Sequence, residues 1–191
     1  TGFIVGDITV GNGTAGNFSG SGTTYTADIT PSAQGAVTVD ISSSVAVDTV
    51  GNNNTAATQL SRTYDSIAPT VSITTSASNP TNTSPIPVTI TFNESVTGFV
   101  VGDITVGNGT AGNFSGSGTT YTANITPSAQ GAVTVDVSSS VATDTAGNNN
   151  SAATQLSRTY DSTAPTVAIT SSASGSTHSS PIPVTITFSE A

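Results

Sequence analysis

Cysteine, methionine and tryptophan are absent from the 191 residues, and only two cationic side chains, Arg62 and Arg158, stand against 11 acidic ones, for a net charge of −9. Without cysteine there is no disulfide framework and no thiolate to act as nucleophile or metal ligand. Nucleic-acid binding draws on Lys and Arg to displace counterions from phosphates, so two arginines exclude that class. A single histidine, His178, removes His-based catalysis from consideration. No apolar run approaches the roughly 20 residues that span a bilayer, and no basic-then-apolar signal segment opens the sequence. Abundant instead are 37 Thr and 29 Ser, about a third of the chain, which favour strands and turns over helices.

The chain is two copies of one repeat. TGFIVGDITVGNGTAGNFSGSGTTYTA begins at Thr1 and TGFVVGDITVGNGTAGNFSGSGTTYTA at Thr97, a period of 96 residues, and residues 1–95 differ from 97–191 at 15 positions. A period near 100 residues is one small all-β domain, larger than a helical or leucine-rich solenoid unit. The stretches from Asp65 to Thr70 and from Asp161 to Thr166 each end in Ala-Pro-Thr and read as linkers, because proline fixes an extended entry and donates nothing to a ladder. This divides the chain into residues 1–64, a repeat without its first two strands; 65–161, a complete repeat; and 162–191, the first two strands of the next.

Within the complete repeat, apolar residues alternate with the period of half-buried strands. Val71 and Ile73 mark the first strand, and Ile86, Val88, Ile90 and Phe92 the second. The third starts at Phe99 and Val101 and resumes out of phase at Ile104 and Val106, so Gly102-Asp103 reads as a bulge. Phe114 lies in a short Gly/Ser-flanked piece, followed by Tyr121, Ala123 and Ile125, by Val133, Val135 and Val137, and by Leu156 and Tyr160. Gly11-Asn12-Gly13 and Gly107-Asn108-Gly109 read as hairpin turns, since Asn-Gly tolerates positive φ. About seven short strands predict an antiparallel two-sheet sandwich of immunoglobulin type, with an up-and-down barrel as the alternative.

The runs DSxAPTVxIT, SPIPVTITFxE, TGFxVGDITVxNGT, TYTxxITPxAxGAVTV and VAxDxxGNxN together resemble the bacterial immunoglobulin-like repeats found in tandem in very large surface adhesins and biofilm proteins. The resemblance covers the whole chain. It implies a spacer or adhesive role at the bacterial surface, outside the cell, with beads stacked end to end.

Catalysis by hydrolysis or transfer needs a nucleophile beside a base, or two carboxylates with separated pKa values, and neither can be assembled here. The expectation is therefore no enzyme. His178 corresponds to Asn82 in the other copy, and Asp28 to Asn124, so neither charge is required by the repeat. Asp40 and Asp136 fall on the polar phase of their strand. Asp65, Glu94 and Asp144 differ, because in a sandwich of this topology the incoming linker, the end of the second strand and the loop between the last two strands share one pole. Three carboxylates without a nearby cation raise each other's pKa unless an ion sits among them. Calcium suits carboxylates, carbonyls and Asn amides in irregular geometry, magnesium demands a stricter octahedron, and zinc would want His or Cys. The alternative is three separate turn residues in water. Asp103 is a further candidate ligand. Asp161 and Glu190, and separately Asp48, belong to two more sites of this pattern that are incomplete within the chain.

These readings predict tandem sandwiches in a surface fibre, stiffened by calcium at their junctions, with neighbouring repeats or copies of the chain as head-to-tail partners and any host or surface glycan gripped through other domains. The competing class is a glycan- or ice-binding module using outward Thr pairs such as Thr89 and Thr91, or Thr185 and Thr187. The half repeats at either end require a complement from a neighbour. Either the repeats continue in one long polypeptide, or separate subunits donate residues 167–188 into the next sandwich.

Overall fold

A computed structural model describes residues 2–190. The chain folds into antiparallel sheets with two single-turn 3-10 segments, Val5–Asp7 and Val101–Asp103. Its strands are β1 (Ile8–Gly11), β2 (Gly13–Ser21), β3 (Thr24–Pro31), β4 (Gly35–Ile41), β5 (Leu60–Tyr64), β6 (Val71–Thr74), β7 (Ile86–Val96), β8 (Ile104–Gly107), β9 (Gly109–Pro127), β10 (Gly131–Val137), β11 (Leu156–Tyr160), β12 (Val167–Thr170) and β13 (Thr185–Phe188).

In residues 65–160 one sheet has the order β6-β7-β9 and the other β11-β10-β8. Alternation along β7 buries Ile86, Val88, Ile90 and Phe92, and β10 buries Val133, Val135 and Val137. The inward residues of both sheets form one core, to which Tyr121, Ala123 and Ile125 of β9 and Phe99 before β8 contribute. This is the immunoglobulin-type sandwich expected from the alternation. Burying such aliphatic side chains stabilises the fold by about 1.5–3 kcal/mol each. Around Phe99, the rings of Phe92, Phe114 and Tyr121 lie 5.4, 5.7 and 5.1 Å away, all edge-on.

Three local expectations are corrected. Gly102-Asp103 is no bulge: the phase slip is absorbed by the 3-10 turn Val101–Asp103, whose Asp103 carboxylate accepts the Val100 N–H at 2.8 Å. Nor are Gly11-Asn12-Gly13 and Gly107-Asn108-Gly109 hairpin turns. Asn12 and Asn108 do adopt φ of 57°, but β8 pairs with β10 while β9 pairs with β7, so the turn carries the chain from one sheet to the other. The Asn108 amide fastens this corner by donating to Ala129 O at 2.9 Å. The strand bearing Glu94 also runs further than expected, to Val96, with its pairing interrupted between Thr91 and Val96.

At the opposite pole, a short segment after β6 lies parallel to β11. Thr81 N–H donates to Thr159 O and Asp161 N–H to Thr81 O, both at 2.9 Å. Asn79 Oδ1 accepts the Thr159 N–H at 2.8 Å, and Arg158 Nε donates to Ala77 O at 3.1 Å.

Residues 2–64 repeat the pattern with β1-β4-β5 and β2-β3, and among the described residues nothing pairs with the second edge of β3. Residues 162–190 contribute only the hairpin β12-β13.

Candidate metal centre

Three elements deliver one carboxylate each to the pole where residues 65–160 begin. Asp65 follows β5, Glu94 sits in the irregular part of β7, and Asp144 lies within the loop between β10 and β11. One carboxylate oxygen from each lies within 4.8 Å of the others. Backbone pairing sets this convergence: Thr97 and Thr143 exchange N–H···O bonds of 2.8 and 3.0 Å, tying the end of β7 to the loop.

The Asp144 loop is a preformed cup. Asp144 is 5% exposed, and its Oδ1 accepts N–H groups of Ala146, Gly147 and Asn148 at 2.8, 2.7 and 2.9 Å. Gly147, at φ 95°, lets the backbone turn those groups inward. Its Oδ2 accepts the Asn148 amide at 2.9 Å, and that same amide donates to the Asp65 carbonyl at 3.2 Å. Asn148 is thus the residue that joins linker to loop. It was legible only as one more Asn of the run Asn148-Asn149-Asn150, where nothing local marks which amide turns inward.

The electrostatics divide the three groups. Hydrogen bonds from the Asn148 side chain and from the Asn148, Ala146 and Gly147 N–H groups outweigh desolvation and hold Asp144 below the usual carboxylate range. Glu94 is pushed up, first by desolvation and then by the negative charges of Asp65 and Asp144. The arginines offer no relief, since their hydrogen bonds go to carbonyls, Arg62 to Ser61 O and Arg158 to Ala77 O and Ser157 O. This donor set of three carboxylates with the Asp65 carbonyl oxygen beside them is chemically suited to a hard divalent cation of calcium type.

The remaining candidates lie apart from that cluster. Asp103 caps its own turn. Asp48 occupies the loop equivalent to Asp144 and is likewise lowered, chiefly by the Asn52 N–H and amide. Asp161 accepts the Thr163 N–H at 2.9 Å, as Asp65 accepts that of Ile67 at 3.0 Å. Among the described residues, Asp65, Glu94 and Asp144 are the one group of three or more such side chains. Thr89 and Thr91 pair across the sheet with Thr122 and Thr120, while Thr185 and Thr187 are exposed on β13.

The profile described as Bacterial Ig-like domain matches residues 1–64 and again 65–160. The chain belongs to this family. No curated protein matches it. Bacterial Ig-like domains commonly occur as structural modules in surface or extracellular proteins, and the candidate centre lies at the boundary between the two matched segments.

Proposed function

We propose that the chain is a non-catalytic spacer of a bacterial surface or extracellular adhesive fibre, in which beads follow one another end to end and calcium at Asp65, Glu94 and Asp144 stiffens each junction. The observation that carries this reading is the gathering of three carboxylates from linker, sheet and loop within 4.8 Å. An ion there links the connecting segment to the body of the bead and removes the like-charge conflict that adds to desolvation in raising Glu94. Binding to the native state alone adds RT ln(1 + [L]/Kd), about 2.7 kcal/mol at a hundredfold excess over Kd. Millimolar calcium is expected to raise the melting temperature of the 65–160 transition by several degrees, with EDTA reversing it and Glu94→Gln abolishing most of the gain. A melting curve indifferent to calcium would remove the metal from the proposal.

A further inference from the structure

We propose that Gln34, in the first repeat, is a positioning residue for the candidate centre of the next one: it holds the linker so that Asp65 is presented to Glu94 and Asp144. The inference rests on the metal reading above, and it assigns part of the site to a side chain that offers the ion no ligand. Gln34 lies in the turn Pro31-Ser32-Ala33-Gln34-Gly35 between β3 and β4. Its Oε1 accepts the Ser66 N–H at 3.1 Å and its Nε2 donates to Ser66 Oγ at 2.7 Å. A carboxamide can do both at once because one end accepts and the other donates. The two bonds fix the backbone and the side chain of the residue directly after Asp65.

Asp65 is thereby held from three directions. Its carbonyl accepts the Asn148 amide of the complete repeat at 3.2 Å, its own Oδ1 accepts the Ile67 N–H at 3.0 Å, and its neighbour Ser66 is clamped by the first repeat. Further along, Pro69 is buried with its carbonyl accepting the Ser151 N–H at 2.8 Å, and the Thr70 N–H donates to Asn93 Oδ1 at 2.7 Å. That end of the linker is fastened to the complete repeat, whereas Gln34 fastens the end that carries the carboxylate to the first. The clamp recurs. Gln130, in the same turn Pro127-Ser128-Ala129-Gln130-Gly131, accepts the Ser162 N–H and donates to Ser162 Oγ and Thr163 Oγ1, each at 3.0 Å. Ile67 of one linker is Thr163 in the other, yet the bonds to the Ser N–H and hydroxyl persist, so the clamp follows from the turn and not from one linker sequence. A carboxylate held before the ion arrives needs less ordering on binding, which strengthens affinity without a new contact.

Calorimetric titration of the metal-free 191-residue chain with calcium tests this. Wild type is expected to bind and Glu94→Gln to lose most of the signal, which places binding at the centre. Gln34→Ala is expected to weaken binding about threefold to tenfold, while the 65–160 transition melts unchanged in EDTA because residue 34 lies outside it. Gln34 is uncharged, so the same loss is expected at low and high salt. Ser66→Ala should weaken binding less, since the N–H bond remains, and should add nothing to Gln34→Ala, because both act through one clamp. Gln130→Ala makes the same lesion in the turn of the complete repeat and should leave the affinity as in wild type. A wild type that binds no calcium overturns the metal reading, and the positioning role with it. Calcium binding that Gln34→Ala leaves intact, or losses from Gln34→Ala and Ser66→Ala that simply add, would overturn the positioning role alone.

Discussion

Asn150 shows how much one buried amide holds. At 2% exposure, its Oδ1 accepts the Val141 and Ala142 N–H groups and its Nδ2 donates to Ser138 O and Ser151 O. Asn150→Ala leaves these backbone groups buried without partners, and chemical denaturation is expected to report a loss of about 3 kcal/mol. Asn54 makes the equivalent bonds in a more open setting, where water can replace them, so Asn54→Ala should cost about 1 kcal/mol. Equal losses would refute that distinction. The acidic centre gives a pH test with two signs. A carboxyl whose pKa is raised by folding favours the native state when protonated, and that favour is lost as pH rises through the folded value. Glu94 is of this kind. In EDTA, Glu94→Gln is therefore expected to melt above wild type at pH 7, the difference closing as pH falls through the raised pKa. Asp144 is the opposite case: its contribution is present above 3.8 and is lost as pH falls through the lowered folded value. Asp144→Asn should destabilise at neutral pH and converge with wild type in acid. Melting curves across pH in which the two variants move in the same direction would contradict this assignment of charge.

At the scale of elements, glycine sets the hairpin that forms half of each β2-β3 or β9 ribbon. Gly116, at φ 118°, would bring a Cβ onto Thr120 O and the Tyr121 backbone. Gly116→Ala is expected to cost about 1–3 kcal/mol in the 65–160 transition, read by denaturation; an unchanged midpoint would show that the ribbon bends elsewhere. The strands themselves were legible because their alternation is local: Ile86 to Phe92 and Val133 to Val137 reveal their inward faces without reference to any partner. So was the meeting of Asp65, Glu94 and Asp144, since sandwich topology alone sends those three places to one pole. The Gly107-Asn108-Gly109 turn was misread for a non-local reason. A left-handed Asn serves a tight hairpin and a crossing between sheets equally well, and only the partners of β8 and β9 distinguish them. The phase slip at Asp103 was ambiguous in the same way, since a bulge and a 3-10 turn shift the alternation alike.

For the whole molecule, the junction at Asp65 joins a short Pro-containing linker to the acidic centre, so its freedom should depend on metal. Small-angle scattering of the chain is expected to give a longer maximum dimension in calcium than in EDTA, compared at matched dilution so that single molecules are measured. Equal dimensions would mean that an ion at the centre does not restrain the hinge. Tension along a fibre gives the patch at the other pole a mechanical meaning. The chain enters the complete bead at Asp65 and leaves it at Asp161, and segment 77–81 runs parallel to the departing strand. Pulling the two termini apart drags these neighbours in opposite directions along their common axis. The bonds of Thr81, Asn79 and Ala77 to β11 are therefore sheared together instead of being peeled open one at a time. Once β6 yields, this patch is a second barrier in series. Thr81→Pro removes the N–H bonded to Thr159 and is expected to lower the unfolding force in single-molecule stretching; a force trace unchanged by it would place the resistance elsewhere. Between β12 and β13, Gly175 stands where Asn79 stands here, so a repeat carrying Gly at this position lacks the Asn side-chain bond and should be the one that gives way first under load.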